Sequence, residues 1–261
     1  MKERIITALV MAAIFIPVVY TGGWLLGSII AILAIIGLSE LFKMKGNNIL
    51  SIEGVISIVA LMGFIFSAEL RDILPQNFNS DAWIHLAAII LLIQTVFSKN
   101  NFSFDDAAVS ILGIIYIGFG FKSLLETREI GLELLILVLI TIWTTDICAY
   151  LFGRKIGKHK LAPNISPNKT IEGSVAGTVS AILVAGIYLY FIEVAGATTW
   201  TLVLMALLSM AGQFGDLVES AFKRYYNTKD SGNIFPGHGG VLDRFDSILF
   251  VFPILNLVGL V

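Results

Sequence analysis

Four aspartates, Asp146, Asp216, Asp243 and Asp246, stand in the second half of a chain that is otherwise poor in charge. Lys169, Lys223, Arg224, Lys229, His238 and Arg244 accompany them. Hard carboxylate oxygens suit Mg2+, which takes one or two carboxylates, several waters and substrate phosphates. Cations beside such an ion neutralise phosphoryl oxygens, so the combination points to phosphoryl or nucleotidyl transfer. The phosphate-cradling pattern G-x-x-x-x-G-K-[ST] is absent, and "GHGG" lacks its spacing, so a nucleotide would be held another way.

These residues fall in three stretches. The first is "WTTDICAYLFGRKIGKHKLAPNISPNKTIEGSVAG", Trp143 to Gly177. Asp146 lies in an apolar run about two turns before its end, where a carboxylate is costly unless it is paired or faces a polar cavity. Arg154, Lys155, Lys158 and Lys160 follow, as topology signals and contacts for lipid headgroups. In "SPNKTIEG", Ser166, Pro167 and Asn168 are expected to form a turn, and Thr170 to cap a helix beginning near Glu172. Lys169 beside that helix start would suit a phosphate, with simple capping as the competing reading. The second stretch, "GQFGDLVESAFKR", sets Asp216, Glu219, Ser220 and Lys223 at i, i+3, i+4 and i+7, one face of a helix. Local Asp216–Ser220 or Glu219–Lys223 pairs are the alternative to a cavity lining. The third joins the Gly- and Pro-punctuated loop "KDSGNIFPGHGG" to "LDRFDS", which puts Asp243 and Asp246 on the first turn of a helix. A helix dipole explains one such acid comfortably and two less well, and Arg244 between them points to a phosphate or an ion pair.

The elements that must position these groups are set by hydropathy. The chain is 57% hydrophobic and 14% charged, with a mean hydropathy of +0.88, where soluble domains carry about 25% charge. Long apolar segments recur throughout, so the expected fold is an all-α polytopic integral membrane protein. About nine transmembrane helices are expected, roughly over 5–21, 24–42, 53–68, 82–97, 107–124, 131–152, 173–192, 198–221 and 246–260. The basic start runs into a span-length apolar segment with no small-x-small cleavage site, and reads as an uncleaved first helix. With these spans, only Arg71, Lys122 and Arg128 of the 17 lysines and arginines fall on one side, so the N-terminus is expected to be cytoplasmic. The polar connections 153–172 and 222–245 then both face the cytoplasm. Residues 1–128 read as N-terminal scaffold helices and 129–261 as the C-terminal helices that carry the chemistry, in one continuous membrane domain. The single Cys148 excludes an intramolecular disulfide and reads as a small buried helix residue.

The stretch "SAFKRYYNTKDSGNIFPGHGGVLDRFDS", Ser220 to Ser247, resembles the signature of the phosphatidate cytidylyltransferase, or CDP-diacylglycerol synthase, family. The shared pattern is S-x-x-K-R, then K-D, P-G-H-G-G and D-R-x-D; "SPNKTIEG", "GDLVES" and "RIITALV" also look like family segments. The resemblance implies the reaction CTP + phosphatidate → CDP-diacylglycerol + pyrophosphate, with Mg2+ as cofactor. It implies a homodimer in the cell membrane, in contact with membrane lipids and not with nucleic acid, its site open to the cytoplasm and inner leaflet. Asp216 and Asp243 are the first metal ligands on this reading, with Asp246 and Asp146 as further ligands or their supports. Lys169, Ser220, Lys223, Arg224, Lys229 and Arg244 would hold phosphates, and His238 would touch a phosphate or the pyrophosphate, or else only shape its loop. Another CTP-dependent membrane lipid transferase, such as a polyprenol kinase, is the alternative enzyme. A transporter would need polar residues through the whole bilayer depth, whereas these gather at one face.

Overall fold

Apolar runs become helices wherever the hydropathy places them. The structure, a computed structural model, describes residues 2–75, 78–198 and 200–259, with the side chains of 2–6, 8, 9 and 12 excepted. Its described helices are α1 (Lys2–Thr21), α2 (Gly23–Lys45), α3 (Ile52–Ile65), α4 (Ser80–Phe97), α5 (Phe104–Ile130), α6 (Leu132–Ile156), α7 (Ile171–Phe191), α8 (Thr201–Tyr225) and α9 (Leu242–Leu257). Six of these, α2 and α4 to α8, are long and apolar enough to cross a membrane, whereas α3 has 14 residues and α9 has 16. The chain is therefore an all-α, multi-pass membrane protein. Polar side chains set several starts by accepting an early helix amide: Ser51 for α3, Asn79 for α4, Ser103 with Asp106 for α5, and Thr170 for α7.

One local expectation is corrected. Ser166, Pro167 and Asn168 do not turn; they belong to β2 (Ser166–Thr170), which pairs antiparallel with β1 (Lys160–Ala162). The reversal comes earlier, at Pro163, Asn164 and Ile165. Pro163 presets its φ and Asn164 tolerates turn geometry, while Pro167 fits a two-stranded ribbon because both strands are edges. Thr170 caps as expected, its Oγ1 accepting from Gly173 N at 3.2 Å.

Helix ends sort into two groups. At one end Lys45 pairs with Asp106 at 3.3 Å and Gln94 donates to Glu53 at 2.8 Å. At the other, Arg128 donates to the carbonyls of Val19 and Tyr20 at 2.7 Å each, and Lys122 to Ser67 at 2.9 Å. Between them Leu26, Ile30 and Leu38 of α2, Ile117 and Phe121 of α5, and Leu249 and Phe252 of α9 form part of a continuous dry core. Thus α9, last in sequence, packs back onto early helices.

Lipid tails are as apolar as leucine, so close backbone approach and polar contacts must hold such helices together. Gly153 of α6 packs against Gly173 of α7 and Ala149 against Gly177, so Ala149/Gly153 and Gly173/Gly177 form two facing small-xxx-small stripes. A Cβ on Gly173 would lie 2.6 Å from Ala149 O, and one on Gly177 2.7 Å from Thr145 O. At the α8–α9 crossing a Cβ on Gly215 would stand 2.7 Å from Phe250 Cβ and 2.8 Å from Asp246 O. Thr145 and Ser209 share a 2.7 Å hydrogen bond, and Gln213 donates to Thr178 at 3.0 Å, which ties α6, α7 and α8 in their buried interior.

Candidate active site

Three helices and the hairpin bring four of the expected residues together. Asp146 comes from α6, Asp216 from α8 and Asp246 from α9, each in the electrostatic field of the others. The glycine-mediated crossing at Gly215 is what allows the backbones bearing Asp216 and Asp246 to come so close. Lys169 reaches in from β2 and pairs with Asp216 at 2.6 Å. Asp146 and Asp246 have no ion-pair partner among the described residues, and Asp246 accepts only from the adjacent Ser247 amide, at 2.7 Å. Asp146 is exposed although it lies well inside the helix, so it borders open space at the bundle surface. Arg244 adds positive potential at Asp146.

This set fits a divalent cation by its chemistry: hard oxygen donors whose negative charge is only partly neutralised. Among the described residues, no three His, Cys, Asp or Glu side chains are gathered closely enough to hold an ion by themselves.

A second set of carboxylates is occupied differently. The Lys223 ammonium lies 2.6 Å from Asp243 Oδ1 and also pairs with Glu219. Asp243 Oδ2 accepts from Ser231 N at 2.8 Å, Ser231 Oγ at 2.9 Å and Gly240 N at 2.8 Å. Held by the Lys223 ammonium, two amides and a share of the one Ser231 hydroxyl proton, which also faces Glu40, Asp243 clamps the polar loop to the start of α9. Glu40 of α2 joins the same structure, accepting from Ser231 Oγ and Leu242 N at 2.9 Å and from Val241 N at 2.8 Å. The loop itself needs glycine at Gly239, whose φ is +87° and where a Cβ would run into the Asp243 carboxylate.

The remaining expected residues lie around these two sets. Ser220 Oγ donates to Asp216 Oδ1 at 3.3 Å, the local helix pair. Arg224 is exposed and ties the hairpin to the loop through the carbonyls of Ile165 (3.4 Å) and Thr228 (3.2 Å). Lys229 is exposed and makes no ion pair among the described residues. Arg244 Nε donates to His238 O at 2.8 Å, while the half-buried His238 has a sealed Nδ1 that finds no partner among the described residues. Cys148 is half-buried.

Two residues escaped the sequence reading. Glu40 sits in the half expected to be scaffold, yet a carboxylate inside an apolar run is a signal by itself. Tyr116 of α5, edge-on to Phe222 at 5.9 Å, buries a hydroxyl with no hydrogen-bond partner among the described residues in the field of Asp216, Glu219 and Asp246. Nothing in its local sequence marks it.

Comparison with known proteins follows the same lines. A family model described as "Cytidylyltransferase family" matches residues 2–261. The chain is 44% identical over 266 residues to a phosphatidate cytidylyltransferase of Staphylococcus saprophyticus, covering 99% of this chain and 98% of the relative. It is 43% identical, with the same coverage, to phosphatidate cytidylyltransferases of Staphylococcus haemolyticus and Staphylococcus aureus.

Proposed function

The chain belongs to the cytidylyltransferase family, and we propose that it joins CTP to phosphatidate, giving CDP-diacylglycerol and pyrophosphate. The observation that carries this reading is full-length similarity to phosphatidate cytidylyltransferases, with the acid cluster and its cations lying at one end of a membrane bundle. A cytosolic triphosphate and a bilayer-borne phosphate can meet only at such an end. The Lys- and Arg-rich distribution supports nine spans, a cytoplasmic N-terminus and a site facing the cytoplasm. A membrane-impermeant thiol reagent that failed, in intact cells, to distinguish cysteines placed at Lys160 and Asn79 would refute that orientation. The smaller buried shares of α4 and α7, 11% and 17% of their apolar windows, leave faces for lipid or a second copy and support a homodimer. Native mass spectrometry from nanodiscs showing only monomer would count against the dimer.

In the proposed reaction a phosphatidate phosphate oxygen bonds to the α-phosphorus of CTP, and the bond from that phosphorus to the bridging oxygen of the leaving pyrophosphate breaks. The phosphate monoester is already anionic near neutral pH, so alignment and charge neutralisation suffice in place of a strong base. Mg2+, bound by Asp216 and Asp246 with Asp146 beside them, would supply Lewis-acid neutralisation of the phosphoryl oxygens. Lys169 and Arg244 flank that cluster and would hold substrate phosphates there. Asp243, Lys223 and Glu219 would act through the loop they clamp, keeping α9 in register with α8. His238 and Lys229 stand on the loop rim as additional phosphate contacts.

Positional label tests the reading. Purified protein given phosphatidate, Mg2+ and CTP should move α-phosphate label into lipid and release γ-phosphate label as pyrophosphate. Lipid carrying the γ label would establish a kinase instead.

A further inference from the structure

The helix that carries Asp243, Arg244 and Asp246 begins without a cap of its own, because Val241 occupies the N-cap position and has no side-chain oxygen. Its first amides are met from the far end of the sequence. Glu40 accepts from Val241 N, 201 positions away, and from Leu242 N, one amide to each carboxylate oxygen, at 2.8 and 2.9 Å. Ser231 Oγ, 2.9 Å from Glu40 Oε2 and 2.9 Å from Asp243 Oδ2, bridges the two carboxylates.

The site is built for this one side chain. Glu40 is 5% exposed. Gly232 and Gly240 press against it: a Cβ on Gly232 would stand 2.8 Å from Glu40 Cδ, and one on Gly240 2.5 Å. Neither lysine nor arginine pairs with Glu40 among the described residues, so amides, a hydroxyl and the positive end of the α9 dipole answer its charge. Asp246 lies one turn beyond Leu242. A tilt or rotation of that first turn moves Asp246 and Arg244 relative to Asp216, across a crossing where Gly215 leaves no slack.

We propose that Glu40 is a positioning residue for cytidylyl transfer: by capping α9 from α2, it fixes where Asp246 and Arg244 stand against Asp216. The scaffold half of the chain thus reaches directly into the alignment of the site. This rests on the cytidylyl-transfer reading for its activity readout, while the capping itself has an independent one.

Glu40→Gln keeps the size of the side chain but turns an NH2 toward one of the donors it must meet. In the full-length protein in nanodiscs, kcat should fall on the order of 10- to 100-fold while KM for CTP stays within about threefold, as expected when alignment is lost and binding kept. Amide exchange should rise in the 231–242 peptide and remain unchanged in α6 and α7. Ser231→Ala, which removes only the bridging hydroxyl, should lower kcat in the same direction. The double variant should lose less than the two single losses combined, because Glu40 and Ser231 share one hydrogen bond while each keeps contacts of its own. Parental kcat per folded Glu40→Gln molecule overturns the proposal, whether or not the variant melts lower; so do losses that simply add. Should Glu40→Gln not fold, Ser231→Ala decides: unchanged kcat and unchanged exchange at Val241 and Leu242 overturn it. If the parent itself forms no CDP-diacylglycerol, the reaction assignment fails, and the exchange difference still decides the capping.

Discussion

Lys223→Met removes one ammonium that two buried carboxylates share. The side chains of Lys223, Glu219 and Asp243 are 12%, 1% and 4% exposed, so water cannot replace the lost charge. Breaking a buried pair from one side costs about 3–5 kcal/mol, chiefly because the other partner stays charged and unmatched. The cost is unevenly distributed. Asp243 keeps two amide donors, Ser231 N and Gly240 N, and a share of the Ser231 hydroxyl proton, whereas Lys223 is the only cation paired with Glu219 among the described residues. Neutralising that one group with Glu219→Gln in the Lys223→Met background should therefore return roughly 1–3 kcal/mol. Tryptophan fluorescence during thermal unfolding in nanodiscs reads both effects. At about 2–4 °C per kcal/mol for a chain near this size, Lys223→Met should melt about 6–20 °C lower, with part of the loss recovered in the double variant. A Lys223→Met midpoint within 2 °C (about 0.5–1 kcal/mol) of the parent would refute the buried-triad reasoning. So would a double variant that melts lower than the single.

Lys169 and Asp216 are 26% and 32% exposed, so Lys169→Ala should change stability by no more than about 1 kcal/mol. The same variant should weaken substrate use on the order of tenfold, read as kcat/KM for CTP and phosphatidate; unchanged kinetics would leave the lysine a purely structural place in the hairpin. Gly215→Leu should wedge α8 from α9, where a Cβ already stands 2.7 Å from Phe250 Cβ, costing about 1–3 kcal/mol and most of the activity. Gly186→Ala, whose Cβ would be 3.8 Å from Leu202, is the matched control, and equal behaviour of the two would show that the crossing does not matter.

Much of the fold was legible because hydropathy sets helices directly in a bilayer: each expected span overlaps a described helix, and six of these helices are long and apolar enough to cross a membrane. The site was legible as a set of residues but not as a division of labour. Asp216, Asp243 and Asp246 look alike in sequence. Only the three-dimensional donors separate Asp243, enclosed by Lys223, Ser231 and Gly240, from Asp246, which among the described residues has only its neighbouring amide. The hairpin was misplaced because Ser166–Pro167–Asn168 and Pro163–Asn164 carry similar turn chemistry, and strand pairing between Lys160 and Thr170 decides between them. Glu40 was missed because its partners lie about two hundred positions away, beyond any local spacing rule.

On the proposed reading the acids form a working set, Asp146, Asp216 and Asp246, and a building set, Glu40, Glu219 and Asp243. Asp246→Asn and Asp243→Asn, compared for turnover and melting in the same nanodiscs, test it most directly. Asp246→Asn should melt at or above the parent, because it replaces one of three crowded carboxyl groups with a neutral side chain of the same shape, while CDP-diacylglycerol formation falls on the order of 100-fold or more. Asp243→Asn should melt several degrees lower, because its amide turns donors toward groups that already donate. An active Asp246→Asn, or one that melts as low as Asp243→Asn, would contradict the account.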